Sequence, residues 1–475
     1  MTKKKVIILG GGVGGLSAGW MLARTGQYEV TVIEKASVTG GACGTFKHEG
    51  FLLDYGPHKF YSVIPGIVDE LKELMGEEFL RHEKKNSIFM FNSFLEYPIR
   101  MTDLIFKMGF KNMAECGLNA LATFFKKEKS GSTLQSYETY LVNRFGRRLY
   151  ELVFEPLADK VWGDPSTLSS DIASTRIPAK SFLDVFMKIV GIRAETELTD
   201  AKYFYYPRRG FGRISERMEE EIISHGGHIF TNAKGIRIKS TDSNISEVQF
   251  KVNDCFKKVN CDLLISTIPI DSLVTLLEAE NEYFRKDVRR LGVKLQYRTA
   301  LLVYVFLNQE TVTNEHWIFF PGRDVIFSRI FEQKQMSGEM CAQNKTVLCC
   351  DFTDDEEGIL CNQSDDQLGR KCISDLEKVG IIKKSWVESS LVKRLPRFYP
   401  RYDLSYKSTI RAFYDLLRKY ENLLLTGRIG FYNYNNSDHC VDMGKFIADN
   451  LENGEMPRKI WSALEQRVDA YRIVD

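Results

Sequence analysis

The 475-residue chain has no C-x-x-C pair among its ten cysteines, which are scattered apart from the adjacent Cys349 and Cys350. Neither a zinc knuckle nor a disulfide framework is indicated, no metal site is expected, and a reduced, cytoplasmic setting fits best. Neither sign of charge dominates: 65 Lys+Arg against 63 Asp+Glu leave a formal net charge of +2. Proteins that grip nucleic acid concentrate positive charge, so a nucleic-acid partner is not expected. No internal repeat and no long low-complexity run is visible, which sets aside solenoids and arrays. An unbroken membrane span is missing too. Residues 6–23 are uncharged behind Lys3-Lys4-Lys5, but six of these eighteen residues are glycine, a density unsuited to a spanning helix. What is present is ordinary for a soluble protein, with 44% hydrophobic and 12% aromatic residues, which excludes wholesale disorder. The length fits two or three domains or one large composite.

The amino end carries the clearest signal. Val6-Ile7-Ile8-Leu9 is a short apolar, β-branched run of the kind that forms a strand buried on both faces. Gly10, Gly12 and Gly15 follow in G-x-G-x-x-G spacing. Gly10 permits the tight turn, Gly12 lets backbone approach a pyrophosphate, and Gly15 lets the next helix lie close to the strand. That helix starts at the turn, so the N–H groups around Val13 and Gly14 and the positive end of its dipole face the phosphates. A second strand over residues 30–33 ends at Glu34, nineteen residues after Gly15 and just before Lys35, where a carboxylate can hold both ribose hydroxyls. Strand, glycine turn, helix, strand and acid together predict a dinucleotide site rather than a structural turn.

Thr39-Gly40-Gly41-Ala42-Cys43-Gly44-Thr45 and Asp54-Tyr55-Gly56-Pro57-His58 come next. With the opening motif they resemble the extended N-terminal pattern of the flavin amine oxidase superfamily. The resemblance implies FAD as resident cofactor, with Gly41 near the flavin diphosphate and Gly56, Pro57 and His58 near the isoalloxazine. Ala42 stands where the family usually has Arg, so one contact is lost or supplied from elsewhere. Nothing around Cys43 suggests a depressed pKa, and it is read as inert.

Further along, residues 65–200 read as mostly helical, interrupted by a hairpin over residues 87–99. A Phe- and Met-rich stretch at 100–125 fits a substrate-cap helix pair better than a membrane-surface helix. A helix over 214–225, a strand closing at 261–269, a mixed sheet over 296–353, a helix over 365–379, a strand over 422–426 and a helix after Ser437 complete the reading. The predicted fold is α/β: a Rossmann-like FAD-binding domain with an inserted α+β substrate domain made of a mixed sheet and a helical cap. The expected stretches are 1–80, 205–275 and 415–475 for FAD, 81–204 for the cap and 276–414 for the substrate sheet.

Three more segments carry a closer resemblance. Phe145-Gly146-Arg147-Arg148-Leu149-Tyr150, Phe154-Glu155-Pro156-Leu157 and Lys160-Val161-Trp162-Gly163 resemble the helix and K-x-W-G turn of UDP-galactopyranose mutases. Thr175-Arg176-Ile177-Pro178 resembles their R-[IL]-P segment, and the run from Gly427 and Arg428 to Tyr434 and Asn436 resembles their terminal G-R-x-x-x-Y-x-Y-x-D. Arg208-Arg209-Gly210-Phe211-Gly212 and Asp438-His439 are closer to a broader group related to protoporphyrinogen oxidase, and residues 290–400 carry no matched motif. The mutase resemblance implies that Arg176 and Arg428 grip a diphosphate by bidentate, charge-assisted hydrogen bonds and so carry catalysis. It gives Trp162 the sugar and uracil side, and Tyr434 a hydroxyl bond to a phosphate oxygen. Asn436 replaces the mutase acid, and Gly427 and Arg428 also border the flavin.

Two chemistries remain open at this point. One is a pyranose–furanose mutase working on a nucleotide sugar through N5 of reduced flavin, with NAD(P)H open as external reductant. The other is an oxidase or dehydrogenase of the protoporphyrinogen oxidase and amine oxidase type, with hydride passing from substrate to flavin. A noncatalytic flavin-fold module is the third possibility. The partner expected in each catalytic case is a small molecule, with a homo-oligomer left open.

Overall fold

The computed structural model describes residues 3–97, 103, 107–125, 135–175, 202–278, 285–286, 288–289 and 294–472. Arg176, with the Ile177-Pro178 that follows it, lies outside the described residues, as does the expected loop at 126–132.

Lys4–Leu9 forms the middle strand of a five-stranded parallel sheet, because Val6, Ile7 and Ile8 are fully buried on both faces. Tyr28–Ile33 and then His228–Phe230 lie on one side of it; Leu263–Ser266 and then Leu423–Leu425 lie on the other. The sheet therefore collects strands from three separated parts of the chain. The helix Val13–Arg24 begins immediately after Gly12 and packs against the helices Arg213–Ser224 and Ser437–Glu452. The last of these crosses very closely: a Cβ on Gly444 would sit 2.6 Å from the Ala18 nitrogen.

A second, seven-stranded sheet runs in the order Val387–Pro400, Tyr297–Leu307, Thr346–Asp355, Arg329–Glu332, Trp317–Phe319, Asn86–Met90 and Ser93–Glu96. All its neighbours are antiparallel except the pairing of Trp317–Phe319 with Asn86–Met90. The strand Tyr297–Leu307 divides its side chains by the two-residue period. Leu301, Val303, Val305 and Leu307 enter a core closed by the helix Asp365–Lys378, whereas Leu302, Tyr304 and Phe306 join the main core. The predicted hairpin is real, but it forms the edge of this sheet rather than standing apart. In the cap region the helices Phe110–Phe125, Tyr137–Phe145 and Glu155–Trp162 are present.

One element departs from the sequence reading. Phe79–Glu83, inside the stretch expected to be helical, is a strand paired antiparallel with Tyr203–Pro207. Alternating Arg81 and Glu83 leave it without a long apolar run, so no strand signal is visible locally. Val387–Pro400, a strand of fourteen residues within the expected substrate sheet, carries no strand signal of its own, because Glu388, Ser389 and Ser390 are polar and exposed.

Candidate functional site

A cavity of about 1370 Å³ runs from the carboxyl ends of the parallel strands to the inner face of the seven-stranded sheet. At one end the glycine turn is built as a cradle. Gly10 has φ +98°, and a Cβ there would meet Thr267 Oγ1 at 2.2 Å, so only glycine turns so tightly. In front of Gly12 the space is open; the nearest atom to a Cβ would be the Gly40 carbonyl oxygen at 4.0 Å. The helix that starts there has no side-chain cap and no acid in its first turn, leaving its N–H groups for an anion. Glu34 braces the turn: Oε2 accepts the Gly11 N–H at 2.6 Å and Oε1 accepts that of Ala36 at 2.7 Å.

The second glycine segment is stitched to the first, with Gly40 N–H donating to the Gly11 carbonyl at 2.8 Å. His58 holds it from behind, its Nε2 meeting the Ala42 carbonyl at 2.8 Å while the ring stacks on Phe211 at 4.9 Å. Burial draws the His58 pKa down to about 4, so the ring is neutral at pH 7 and donates that proton to Ala42. Beneath it Asp54 is a buried hub. It accepts from Thr45 Oγ1 at 2.5 Å, from the Phe211 N–H at 3.0 Å and from the Tyr206 hydroxyl, while Tyr304 donates to its carbonyl at 2.5 Å. Burial outweighs these bonds and lifts its carboxyl to about 6. Cys43, beside them, is pushed up to about 12 by burial and stays a thiol, as its surroundings suggest.

Of the residues predicted for the cofactor, Gly10, Gly12, Val13, Gly14, Glu34, Lys35, Gly41, Ala42, Pro57, His58, Gly427 and Arg428 line the cavity. Gly15 and Gly56 do not. Gly15 instead lets the helix lie against the strand, since a Cβ would be 2.1 Å from the Gly10 carbonyl. Gly56, at φ +107°, makes the turn that delivers Pro57 and His58. The donor-rich cradle fits a flavin dinucleotide. So does Asn435, which lines the cavity at 1% exposure with both side-chain amide atoms unpartnered among the described residues.

Of the predicted substrate residues, Trp162, Arg428, Tyr434 and Asn436 all line the same cavity. Arg428 donates through Nε to the Asn435 carbonyl at 2.7 Å and lies 5.3 Å from the Tyr399 ring. Asn436 also serves the fold, because with His439 it forms a capping box at the start of the helix Ser437–Glu452. Trp162 ends its helix where Lys160 Nζ donates to the carbonyls of Phe320 and Phe327 at 2.9 and 3.0 Å. Thr353 Oγ1 completes that anchor by donating to the Val161 carbonyl at 2.7 Å.

Several cavity residues are missed by the sequence reading. Arg329 and Asp351 face each other across neighbouring strands in a 2.6 Å ion pair on the cavity wall. Lys59 and Trp317 lie beside them, and Arg397, at φ +54°, bridges to Asp271 at 2.9 Å. The available signal is a charge interrupting an apolar strand, as Arg329 does in Phe327-Ser328-Arg329-Ile330-Phe331.

Cradle, hub and cavity together are those of a flavin enzyme, and the match of residues 13–432 to the flavin containing amine oxidoreductase pattern shows that the chain belongs to that family. Its cofactor is FAD, and it acts on a small molecule. Coproporphyrinogen III oxidase of Staphylococcus aureus is 21% identical over 489 residues, covering 94% of this chain and 99% of that one. Phytoene desaturase of Cercospora nicotianae is 46% identical, but over 61 residues that span only 9% of its length. Among solved structures, reduced UDP-galactopyranose mutase superposes with a TM-score of 0.81 at 17% identity over 99% of each chain. Putrescine oxidase bound to putrescine gives 0.63 at 14% identity, over 95% of this chain and 99% of that one. Among the described residues no helix is long and apolar enough to cross a membrane.

Proposed function

We propose that this FAD enzyme binds a nucleotide sugar and interconverts its pyranose and furanose forms. The observation that carries the reading is the meeting of Trp162 with Arg428 and Tyr434, a segment more than 260 residues further along the sequence, on the cavity that also contains the glycine cradle. The likeness to reduced UDP-galactopyranose mutase over nearly the whole of both chains supports it. In this reading Arg428, fixed through Nε, offers its remaining N–H groups to the diphosphate, and Arg176 supplies the second guanidinium. Tyr434 donates to a phosphate oxygen, Trp162 lines the sugar and base, and Asn436 gives a neutral edge where the mutase motif has an acid. Arg428 also supplies positive charge beside the segment where Ala42 replaces arginine. Bound FAD contributes its reduced ring, with N5 as the reactive atom; the polypeptide positions the sugar and stabilises the leaving diphosphate.

Net hydride transfer is the second reading. It is supported by the full-length alignment with an oxidase and by Asp351, whose carboxylate offsets the charge of Arg329 in the cavity. One anaerobic experiment separates the two. Holoenzyme is mixed with UDP-galactose and UDP-galactofuranose, before and after dithionite reduction. Interconversion only after reduction, lost in Arg428→Ala, is the expected result. Failure to interconvert either sugar overturns the mutase reading, and bleaching of oxidised flavin by a substrate without added reductant carries the alternative.

A further inference from the structure

Lys59 is an uncommon residue to find where it is. Its side chain belongs to the cavity wall yet is only 6% exposed, and burying an ammonium group is unfavourable unless the surroundings compensate it. Nζ donates to Asn86 Oδ1 at 2.6 Å and lies 3.9 Å from the centre of the Trp317 ring and 4.8 Å from that of Phe204. Trp317 also takes the Arg329 guanidinium at 4.8 Å on its ring, and Asp351 holds that arginine.

The indole N–H of Trp317 is itself buried and has no hydrogen-bond partner among the described residues, although Trp317 lines the cavity. Such a donor is normally satisfied in a native fold, and its being left over points to a ligand. The positive charge of Lys59 is felt behind the wall. After burial, its field is the next cause keeping the rings of His82 and His316 neutral. This patch of the cavity wall thus holds an ammonium group and a buried, unpartnered indole N–H, with the guanidinium alongside, and the Asp351 carboxylate is already engaged by that guanidinium.

We infer that Lys59 and Trp317 form a receiving point for an anionic oxygen group of the substrate. The ligand rests on the nucleotide-sugar reading; the chemistry rests on these residues alone. A carboxylate on the sugar and the diphosphate itself share the required chemistry, and both would gain charge-assisted hydrogen bonds in a water-poor site.

The test titrates oxidised holoenzyme calorimetrically with UDP-galactose, UDP-galacturonate and free D-galacturonate, using wild type, K59M, K59R and W317F. If a sugar carboxylate is received, UDP-galacturonate binds about tenfold tighter than UDP-galactose, K59M erases that difference, and K59R keeps most of it. If the diphosphate is received, K59M weakens both UDP-sugars by a similar factor of about ten. Binding of D-galacturonate alone, lost in K59M, upholds the receiving point while the nucleotide-sugar reading falls. A folded, flavin-loaded K59M that binds every probe as wild type does overturns the inference whatever becomes of that reading, and so does a wild type that binds none of them. Should K59M not fold, W317F decides, since it keeps an aromatic ring and removes the donor. Weakened binding of the favoured probe upholds the inference and unchanged affinity overturns it.

Discussion

Three single residues bear most of the weight at the cofactor end, and each has a distinct signature. The open space before Gly12 is where a phosphate has to come, so Gly12→Val is expected to abolish flavin retention. Purified variant lacking flavin absorbance would agree; a stoichiometric yellow protein would contradict it. Asp54 and His58 titrate over overlapping pH ranges with opposite sign. The Asp54 pKa is raised from 3.8 to about 6, so the folded state holds the extra proton and stability from this group declines as pH rises from about 4 to 6. The shift is of the order of 3 kcal/mol. The His58 pKa is lowered from 6.5 to about 4, so its contribution is lost as pH falls across the same range. Relative to wild type, Asp54→Asn should lose stability more steeply on acidification and His58→Phe less steeply, as read from denaturant midpoints between pH 4 and 6.5. The glycines and Glu34 are legible in the sequence because backbone geometry dictates them. Lys59 is not, since a lone lysine after G-P-H carries no mark of being buried.

Elements impose their own demands. The cap helix ending at Trp162 is moored to the sheet by two bonds from Lys160 Nζ and one from Thr353. Lys160→Met would leave two carbonyls without that donor and should cost about 2 kcal/mol. A lowered thermal midpoint with altered Trp fluorescence is the expected outcome, and unchanged values would show that the mooring is dispensable. Where the helices Val13–Arg24 and Ser437–Glu452 cross, Gly444→Ala drives a methyl group onto backbone, so the expected loss is both of stability and of flavin. Helices with a strong apolar face and strands buried on both sides are legible from periodicity alone. Phe79–Glu83 and Val387–Pro400 escape because their outer residues are polar and their partners lie eighty or more residues away in sequence. For such strands the pairing, rather than local propensity, decides the conformation.

For the whole molecule, the decisive arrangement is the gathering of one sheet from three parts of the chain. Ile7 pairs with Leu264, and Ile265 with Leu424, so the cradle is bordered by residues from the two ends of the sequence. A chain ending at residue 414 is therefore expected to fail in binding FAD even if its remaining sheet folds; retention of flavin by that truncation would contradict the arrangement. The order of synthesis gives the same topology a further meaning. The ribosome releases the central strand early, yet its flank on one side emerges only after more than half of the polypeptide, and the outermost strand later still. Until then a greasy edge stays open to mispairing, so slow translation, chaperone capacity and abundant riboflavin should govern the yield of active protein more than any single contact does.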